Sequence, residues 1–447
     1  MNVSIVGTGY VGLVSGVCLA SIGHNVICVD NDKNKVDQIK KGIPPIYEKS
    51  LEELLKKHLG NGFDVTANLE DAISRSDVTL IAVGTPFDGN SIDLSFIKNV
   101  SREIGKILKN KLNFHTIVVK STVIPGTTDN LVGRIIQKYS GLLPGKEFGL
   151  GMNPEFLREG NAVEDFIWPD RIVIGSIDKR SRDIIGDLYL SFKEATDILY
   201  VNNSTAEMIK YTSNSYFAML ISFSNEISNI CDKLDCVDAM NVMKGLYLDG
   251  RISPLVDSKR ITPGSVSYLK PGCGYGGSCF PKDVKTLASF SDNLNIDAII
   301  LKATLKVNEE QPSVILEKIY SHYSSVKSLK VGVLGLAFKP ETDDIRESPS
   351  IKIISKLLTL GSIVHTYDPK ATKEVLKVFP EGDISFHKDM KSVVSVSDVI
   401  VVLTAWEEFN NLPKLLQKKN KDTLVIDGRR IFNPSSFNKY EGIGYNA

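Results

Sequence analysis

Asn2-Val-Ser-Ile-Val-Gly7-Thr-Gly9-Tyr10-Val11-Gly12 decides the fold of this chain. A β-branched run leads into Gly-x-Gly-x-x-Gly, and a proline-free helical stretch follows. Strand, turn and helix in that order form the phosphate-binding corner of a doubly wound sheet. Gly7 permits the tight turn. Gly9 lets the backbone approach a pyrophosphate at the helix N-terminus, with Tyr10 and Val11 beside it. Gly12 lets helix and strand pack closely. The next apolar run, Asn25–Val29, ends at Asp30. A carboxylate there accepts bonds from an adenosine ribose and repels a 2′-phosphate, which favours NAD over NADP. Lys35 is placed to join the ribose contacts.

Outward from this corner the alternation continues. Apolar runs at Val78–Val83, Thr116–Lys120 and Arg171–Ile174 are separated by amphipathic segments such as Leu51–Lys57 and Ile97–Leu108. This predicts a parallel sheet with helices on both faces. Loops at the carboxyl ends of such strands line the ligand crevice, so Thr85, Pro86, Ser121 and Thr122 become candidate cofactor contacts. From Ser204 to about Leu234 there is no Pro or Gly, and apolar residues recur at helical spacing. A Gly/Pro-rich loop follows, then a second helical run, Val284–Val307. After residue 328 strand–helix alternation returns, opening on a run with Gly332 and Gly335 but without the full fingerprint. The expected architecture is α/β: two Rossmann-like doubly wound domains joined by a long central helix in a helical middle. The expected bounds are 1–200, 201–312 and 313–447.

Composition narrows the function. Lys+Arg and Asp+Glu both number 53, so no net charge argues for nucleic acid or an anionic membrane. No stretch is long and apolar enough to span a bilayer. The apolar N-terminal segment lacks a basic n-region and is broken early by glycines, which argues against a signal peptide. Six cysteines, at 18, 28, 231, 236, 273 and 279, include no Cys-x-x-Cys pair. That points to a reducing, cytoplasmic setting. The histidines show no metal-ligand spacing, and no metal is expected.

The segment richest in chemistry is Gly272-Cys-Gly-Tyr-Gly276-Gly-Ser-Cys279-Phe-Pro-Lys282-Asp283. Its glycines let backbone approach a ligand. Cys279 sits where a helix begins, beside Lys282, and both features favour a thiolate. Asp283 lies one turn on. Cys273 reads as a chance loop residue, and Cys18 and Cys28 as packing residues.

These residues carry a resemblance. The Cys279 segment is similar to the active-site signature of the UDP-glucose/GDP-mannose dehydrogenase family. Asn153-Pro-Glu155-Phe156-Leu157-Arg158-Glu159-Gly160 with Pro169-Asp-Arg-Ile-Val-Ile-Gly175 resembles a second family block. Phe338-Lys339-Pro with Asp344-Ile-Arg346-Glu-Ser-Pro349 resembles a third, and Asp427-Gly-Arg-Arg430 a fourth. The matches run in order over nearly the whole chain.

The resemblance implies oxidation of a sugar C6 alcohol to a carboxylate, with two NAD, one water and Cys279 as covalent catalyst. It implies that Lys210 and Asn214, four apart on one helix face, stabilise charge on the substrate oxygen. Read alone, that pair is an exposed helix face. It implies Asp283 with Lys210 in proton transfer, Glu155 as acid/base in thioester hydrolysis, and Thr122 on a catalytic water. Cofactor contacts from Glu159, Lys282 and Arg346 follow from it. So do substrate contacts from Glu155 to Glu159, Lys210, Asn214, Tyr268, Leu269, Gly272, Gly276, Phe338, Lys339 and Arg430. A homodimer is implied, in which Arg260 reaches a neighbour's substrate. Arg251 is the alternative for that role, because both Asp249-Gly-Arg251-Ile and Lys259-Arg260-Ile precede the cysteine. UDP-glucose is the substrate the blocks favour. GDP-mannose or a UDP-N-acetylhexosamine is the alternative, since the spacing from Arg260 to Cys279 is nearer that of the GDP-mannose branch.

Overall fold

Val3, Ile5 and Val6 are buried together with Ser4, so both faces of the first strand are covered, as a central parallel strand requires. In the computed structural model, which describes residues 1–192, 196–380, 382–419 and 423–446, this strand is β1 (Asn2–Val6). It is followed by β2 (Asn25–Val29), β3 (Phe63–Thr66), β4 (Val78–Ile81), β5 (Thr116–Val119), β6 (Gly149–Met152), β7 (Arg171–Ser176) and β8 (Asp197–Val201). They form one sheet in the order β3-β2-β1-β4-β5-β6-β7-β8. Order reverses beside β1, so the crevice between the carboxyl ends of β1 and β4 is the switch point where ligands bind in such sheets.

Two large apolar clusters and a small one around Ile27, Val29 and Ala72 cover this sheet. One large cluster gathers Leu13, Val17, Leu55, Phe63 and Ile185, the other Ile97, Ile104, Ile136 and Phe148. Each fully buried Leu, Ile or Phe contributes about 1.5–3 kcal/mol. The sheet departs from the sequence expectation at one pairing: β7 runs antiparallel to β6. After β6 the chain makes only the short helix Ala162–Ile167 and returns beside the same strand, without the crossover that parallel pairing needs.

The chain divides into two compact units, Met1–Ser213 and Asn214–Ala447. The division falls inside the long helix, Asn203–Cys231, whose 29 residues correspond to the run expected from Ser204. In the second unit come β9 (Val237–Asp238), a two-stranded hairpin of β10 (Leu255–Val256) and β11 (Lys259–Arg260), then β12 (Lys330–Leu334), β13 (Ile363–Tyr367), β14 (Ser385–Phe386), β15 (Val399–Val402), β16 (Leu424–Asp427), β17 (Tyr440–Gly442) and β18 (Tyr445–Asn446). All but the hairpin form a sheet ordered β14-β13-β12-β15-β16-β17-β18-β9. β9 follows the long helix and joins this sheet at its edge, antiparallel to β18.

The helical run expected over Val284–Val307 is two helices, Phe280–Asn293 and Ile299–Glu310. Asn295 breaks it at φ 56°, a left-handed conformation that Asn tolerates and a continuing helix forbids. Among the described residues no helix is long and apolar enough to cross a membrane.

Candidate active site

The first unit builds a dinucleotide corner. Gly7 has φ +104°, and a Cβ there would lie 2.6 Å from the Ala82 carbonyl oxygen. A Cβ on Gly12 would lie 1.9 Å from the Gly7 carbonyl oxygen, so close packing excludes any side chain. A Cβ on Gly9 would meet nothing within 4 Å. That open space at the start of the helix Tyr10–Ser21 is what a pyrophosphate needs. Tyr10 and Val11 are partly buried in the first helical turn. Asp30 follows β2 and accepts from the Thr8 N–H at 2.9 Å, the Thr8 hydroxyl at 2.6 Å and the Asp32 N–H at 3.0 Å. Burial works to raise its pKa, but these bonds and the Lys35 charge outweigh it and hold the carboxyl below its ordinary value. It therefore stays anionic, as ribose recognition requires. Glycines and carboxylate fit NAD.

At the ends of β4 and β5, the Thr85 hydroxyl donates to the Thr122 carbonyl at 2.9 Å, and the Ser121 hydroxyl donates to the Val83 carbonyl at 2.7 Å. The two loops are thereby tied together. Pro86 stands exposed at the start of a loop closed by the Asp93 N–H bond to its carbonyl.

Beyond β6, Glu155 and Lys210 form a buried ion pair at 2.9 Å, with side chains 6% and 4% exposed. Burial raises the Glu155 pKa. The charge and hydrogen bond of Lys210, the Leu157 N–H and the charge of Lys120 overcome that and leave it lowered. Phe156 lies under the Arg171 guanidinium, 3.9 Å from ring centroid to carbon, with the Lys210 ammonium 5.5 Å from the same ring. Arg158 pairs with Asp165 and is largely exposed, and Glu159 is partly buried.

Lys120 was missed by sequence reasoning. It is buried and donates to the Asn153 Oδ1 at 2.8 Å. Burial, joined by the charge of Lys210, pushes its pKa down to about 8 against the pull of Glu155. Its only signal was a lysine ending an otherwise apolar strand. Glu48 was missed too. It accepts from the Gly160 N–H at 2.7 Å, the Ala162 N–H at 3.0 Å and the Tyr10 hydroxyl, linking the dinucleotide corner to the Glu155 block.

The second unit holds the cysteine. Cys279 caps the helix Phe280–Asn293 and is partly exposed, with the Ser278 hydroxyl 3.5 Å from its sulfur. Asp283, 1% exposed, accepts from the Asn214 amide at 2.6 Å and from Lys282 at 2.5 Å. Asn214, Asp283 and Lys282 are thus joined by hydrogen bonds, with Asp283 one helical turn after Cys279.

The glycines ahead of Cys279 also have a packing reason. A Cβ on Gly276 would lie 2.4 Å from the Glu347 carbonyl oxygen, and one on Gly277 would lie 2.8 Å from the Phe338 ring. They admit neighbouring protein, and the loop is held against it by the Gly277 N–H bond to the Arg346 carbonyl at 2.8 Å. Gly272 donates its N–H to Asn225 at 2.9 Å, and Leu269 accepts from Ser224 at 2.7 Å. Tyr268 stacks on Phe217 at 4.5 Å.

Arg429, passed over in the sequence, is the hub here. It donates to the carbonyls of Leu403 at 2.6 Å, Gly274 at 2.9 Å and Phe338 at 3.3 Å. Arg430 is committed elsewhere: its guanidinium is buried, paired with Asp238 at 2.8 Å and donating to the Ile443 carbonyl at 2.8 Å. Lys339 lies 5.5 Å over the Phe338 ring, partly exposed, and Arg346 is an exposed partner of Asp344. Arg260 donates to the carbonyls of Leu248 and Ser253, while Arg251 pairs with Asp249. Each of these two arginines is held by its own loop.

Known proteins give the same pattern a context. The family model for the NAD binding domain of UDP-glucose/GDP-mannose dehydrogenases matches residues 1–193, that for the central domain 204–310, and that for the UDP binding domain 332–434. The chain belongs to the UDP-glucose/GDP-mannose dehydrogenase family. It is 38% identical over 436 residues to UDP-glucose 6-dehydrogenase YwqF of Bacillus subtilis, covering 97% of this chain and 94% of that protein. It is 37% identical over 424 residues to GDP-mannose 6-dehydrogenase of Pseudomonas syringae, covering 92% and 93%. Its fold matches a UDP-glucose dehydrogenase from the archaeon Pyrobaculum islandicum with TM-score 0.90 and 36% identity, over 99% of this chain and 97% of that one. As a member of the family the protein is an oxidoreductase acting on a nucleotide sugar, with NAD as cofactor. The two-sheet α/β architecture read from the sequence is the architecture of these relatives.

Proposed function

We propose that this protein is a UDP-glucose 6-dehydrogenase that makes UDP-glucuronate in two oxidations through a covalent bond to Cys279. The observation that carries the reading is Cys279 at the N-terminus of the helix that also bears Asp283, which accepts from Lys282 and from Asn214 of the long helix. NAD held at the Gly7–Gly12 turn and Asp30 would supply the hydride acceptor for each oxidation at C6. The residues of the chain do the rest. Asp283, through water, takes the proton of the C6 hydroxyl, with the Lys210 ammonium favouring the developing alkoxide. Cys279 adds as thiolate to the aldehyde carbon, an anion favoured at a helix N-terminus. Lys210 and Asn214 stabilise the oxyanion of the thiohemiacetal. After the second oxidation the sulfur is acylated. Water held by Thr122 adds to the acyl carbon and gives a proton to Glu155. The C–S bond then breaks, releasing the acid and the Cys279 thiolate.

Relatives named UDP-glucose 6-dehydrogenase, 37–38% identical over nearly the whole chain, support the choice of sugar. The test is a panel of UDP-glucose, GDP-mannose and UDP-N-acetylhexosamines with NADH as readout. UDP-glucose is expected to give two NADH per sugar at the highest kcat/KM. Turnover of GDP-mannose without UDP-glucose would sink the choice of sugar, and one NADH per sugar would sink the two-step chemistry.

We also propose a homodimer in a reducing cytoplasm. None of the six cysteines is joined to another in a disulfide. Tyr216, Phe223 and Ile230 are 48%, 45% and 55% exposed and recur every seventh residue along the outer face of the long helix. Such a stripe suits a helix partner. Phe223→Asp is expected to shift sedimentation at micromolar concentration toward the monomer. An unchanged dimer would place the interface elsewhere.

A further inference from the structure

The long helix carries a buried acid besides the groups assigned above. Glu207, one turn before Lys210, is 0% exposed. Its Oε1 accepts from the Thr128 N–H at 2.7 Å and the Thr128 hydroxyl at 2.6 Å, and its Oε2 accepts from the Gly126 N–H at 2.5 Å. These donors lie in the turn that follows Thr122, at the entry to the π-helical turn Thr128–Gly133. One turn earlier on the same helix, the Asn203 amide donates to Asp129 at 2.6 Å. The helix bearing Lys210 therefore grips this turn through two side chains. A neutral amide or hydroxyl can cap a short turn without burying a charge. A carboxylate accepts all its donors at once and with stronger bonds.

We propose that Glu207 is a positioning residue that fixes the Thr122 loop against the Lys210 helix, so that the Thr122 hydroxyl keeps its hydrolytic water in place. The proposal rests on the reading of Cys279 and Thr122 given above. Glu207 acts through the Gly126–Thr128 turn and touches no reacting atom.

The same geometry makes the grip depend on pH. Burial pushes the Glu207 pKa up to about 7; the Thr128 hydroxyl, the Thr128 N–H and the Gly126 N–H resist, and the charge of Asp129 adds to the rise. Asp129, from the turn itself, is the charged group set against it, and Lys210 on its own helix is paired with Glu155. A protonated Glu207 brings an O–H to a site already filled by donors, so one bond gives way. The grip tightens as pH rises through about 7.

The step affected is hydrolysis of the Cys279 thioester. Glu207→Gln keeps the size of the side chain but sets an N–H against one of the donors. It is expected to lower kcat roughly 10- to 100-fold while KM for NAD and for the sugar changes less than about threefold. Rapid-quench mass spectrometry should find the acyl group accumulating on Cys279, as in Thr122→Ala. In the wild type a limb of the kcat profile titrating near 7 should be present, and Glu207→Gln should flatten it. The deciding comparison is the double variant. If Glu207 works through Thr122, Glu207→Gln adds less than about twofold to the loss in Thr122→Ala. Independent losses that multiply would overturn the proposal, as would wild-type kcat in Glu207→Gln, while leaving the Cys279 chemistry intact. Accumulation in Glu207→Gln but not in Thr122→Ala would overturn it as well. Undiminished acid release by Cys279→Ser would instead remove the thioester reading, and this proposal with it.

Discussion

Cys279→Ser is expected to lower steady-state release of the sugar acid by roughly 10³-fold or more, because an alcohol replaces the only group offered as nucleophile. The substitution is close to isosteric. Cys279 is partly exposed at the helix N-terminus and its sulfur contacts the Ser278 hydroxyl, so nothing in the packing forbids it. Melting temperature should therefore hold while turnover collapses, which separates a chemical defect from a folding one. A serine hydroxyl ionises far less readily than a thiol at neutral pH, and its ester is a poorer substrate for hydrolysis than a thioester. Stopped-flow traces should show no more than a single burst of NADH per enzyme, followed by a stall. Mass spectrometry should find a sugar-nucleotide adduct at the substituted position. Steady production of free acid at the wild-type rate would rule out the covalent route.

Lys210→Met should damage both activity and stability. The ion pair with Glu155 is buried on both sides, so removing the ammonium leaves a buried carboxylate without its ion-pair partner. Breaking such a pair costs about 3–5 kcal/mol, and losing an oxyanion donor lowers kcat about 10²- to 10³-fold. The stability defect has a sign that can be checked. In the wild type, Glu155 has a depressed pKa, so its contribution is present above the unfolded carboxyl value and is lost as pH falls through the folded one. In the variant, burial dominates and favours the protonated form. The gap in unfolding free energy should then be small near pH 4 and widen toward pH 8. Lys120 limits the widening. Lys210 is one cause of its lowered pKa, so removing Lys210 raises it and leaves Lys120 as the remaining cation beside Glu155. Urea denaturation of the variant at several pH values measures this. A gap independent of pH would mean that Glu155 does not depend on Lys210.

The dinucleotide corner was legible because its chemistry is local. Gly7, Gly9 and Gly12 act through the turn they form, and Asp30 directly follows the very next strand. The Cys279 segment was legible for the same reason. What stayed hidden depends on partners far away in the chain. The inner face of the long helix carries Asn203, Glu207, Lys210, Asn214 and Asn225, all buried, while Tyr216, Phe223 and Ile230 face outward. Amphipathic reasoning assigns polar residues to solvent and so turns this helix inside out. Long-range pairings such as that of Lys210 with Glu155, 55 positions back, reveal the true inner face. The choice between adjacent Arg429 and Arg430 could not be made from sequence either. One takes the carbonyls of three loops and the other takes Asp238, and both outcomes rest on tertiary contacts. β6, Gly-Leu-Gly-Met, escaped notice because two glycines mask its strand character.

The pairing of β9 with β18 bears on the order in which the molecule is made. β1 to β8 come from residues 2–201, so the first sheet has all its strands before half of the chain has been synthesised. The second sheet cannot finish that early. Its edge strand, Val237–Asp238, must wait for Tyr445–Asn446, and the ion pair that fastens it joins residues 192 positions apart. Long-range closures of this kind are slow, and until they happen strand edges stay open to other chains. Assembly should therefore proceed in two stages: early on the ribosome for the dinucleotide corner, and only after release for the cysteine-bearing half.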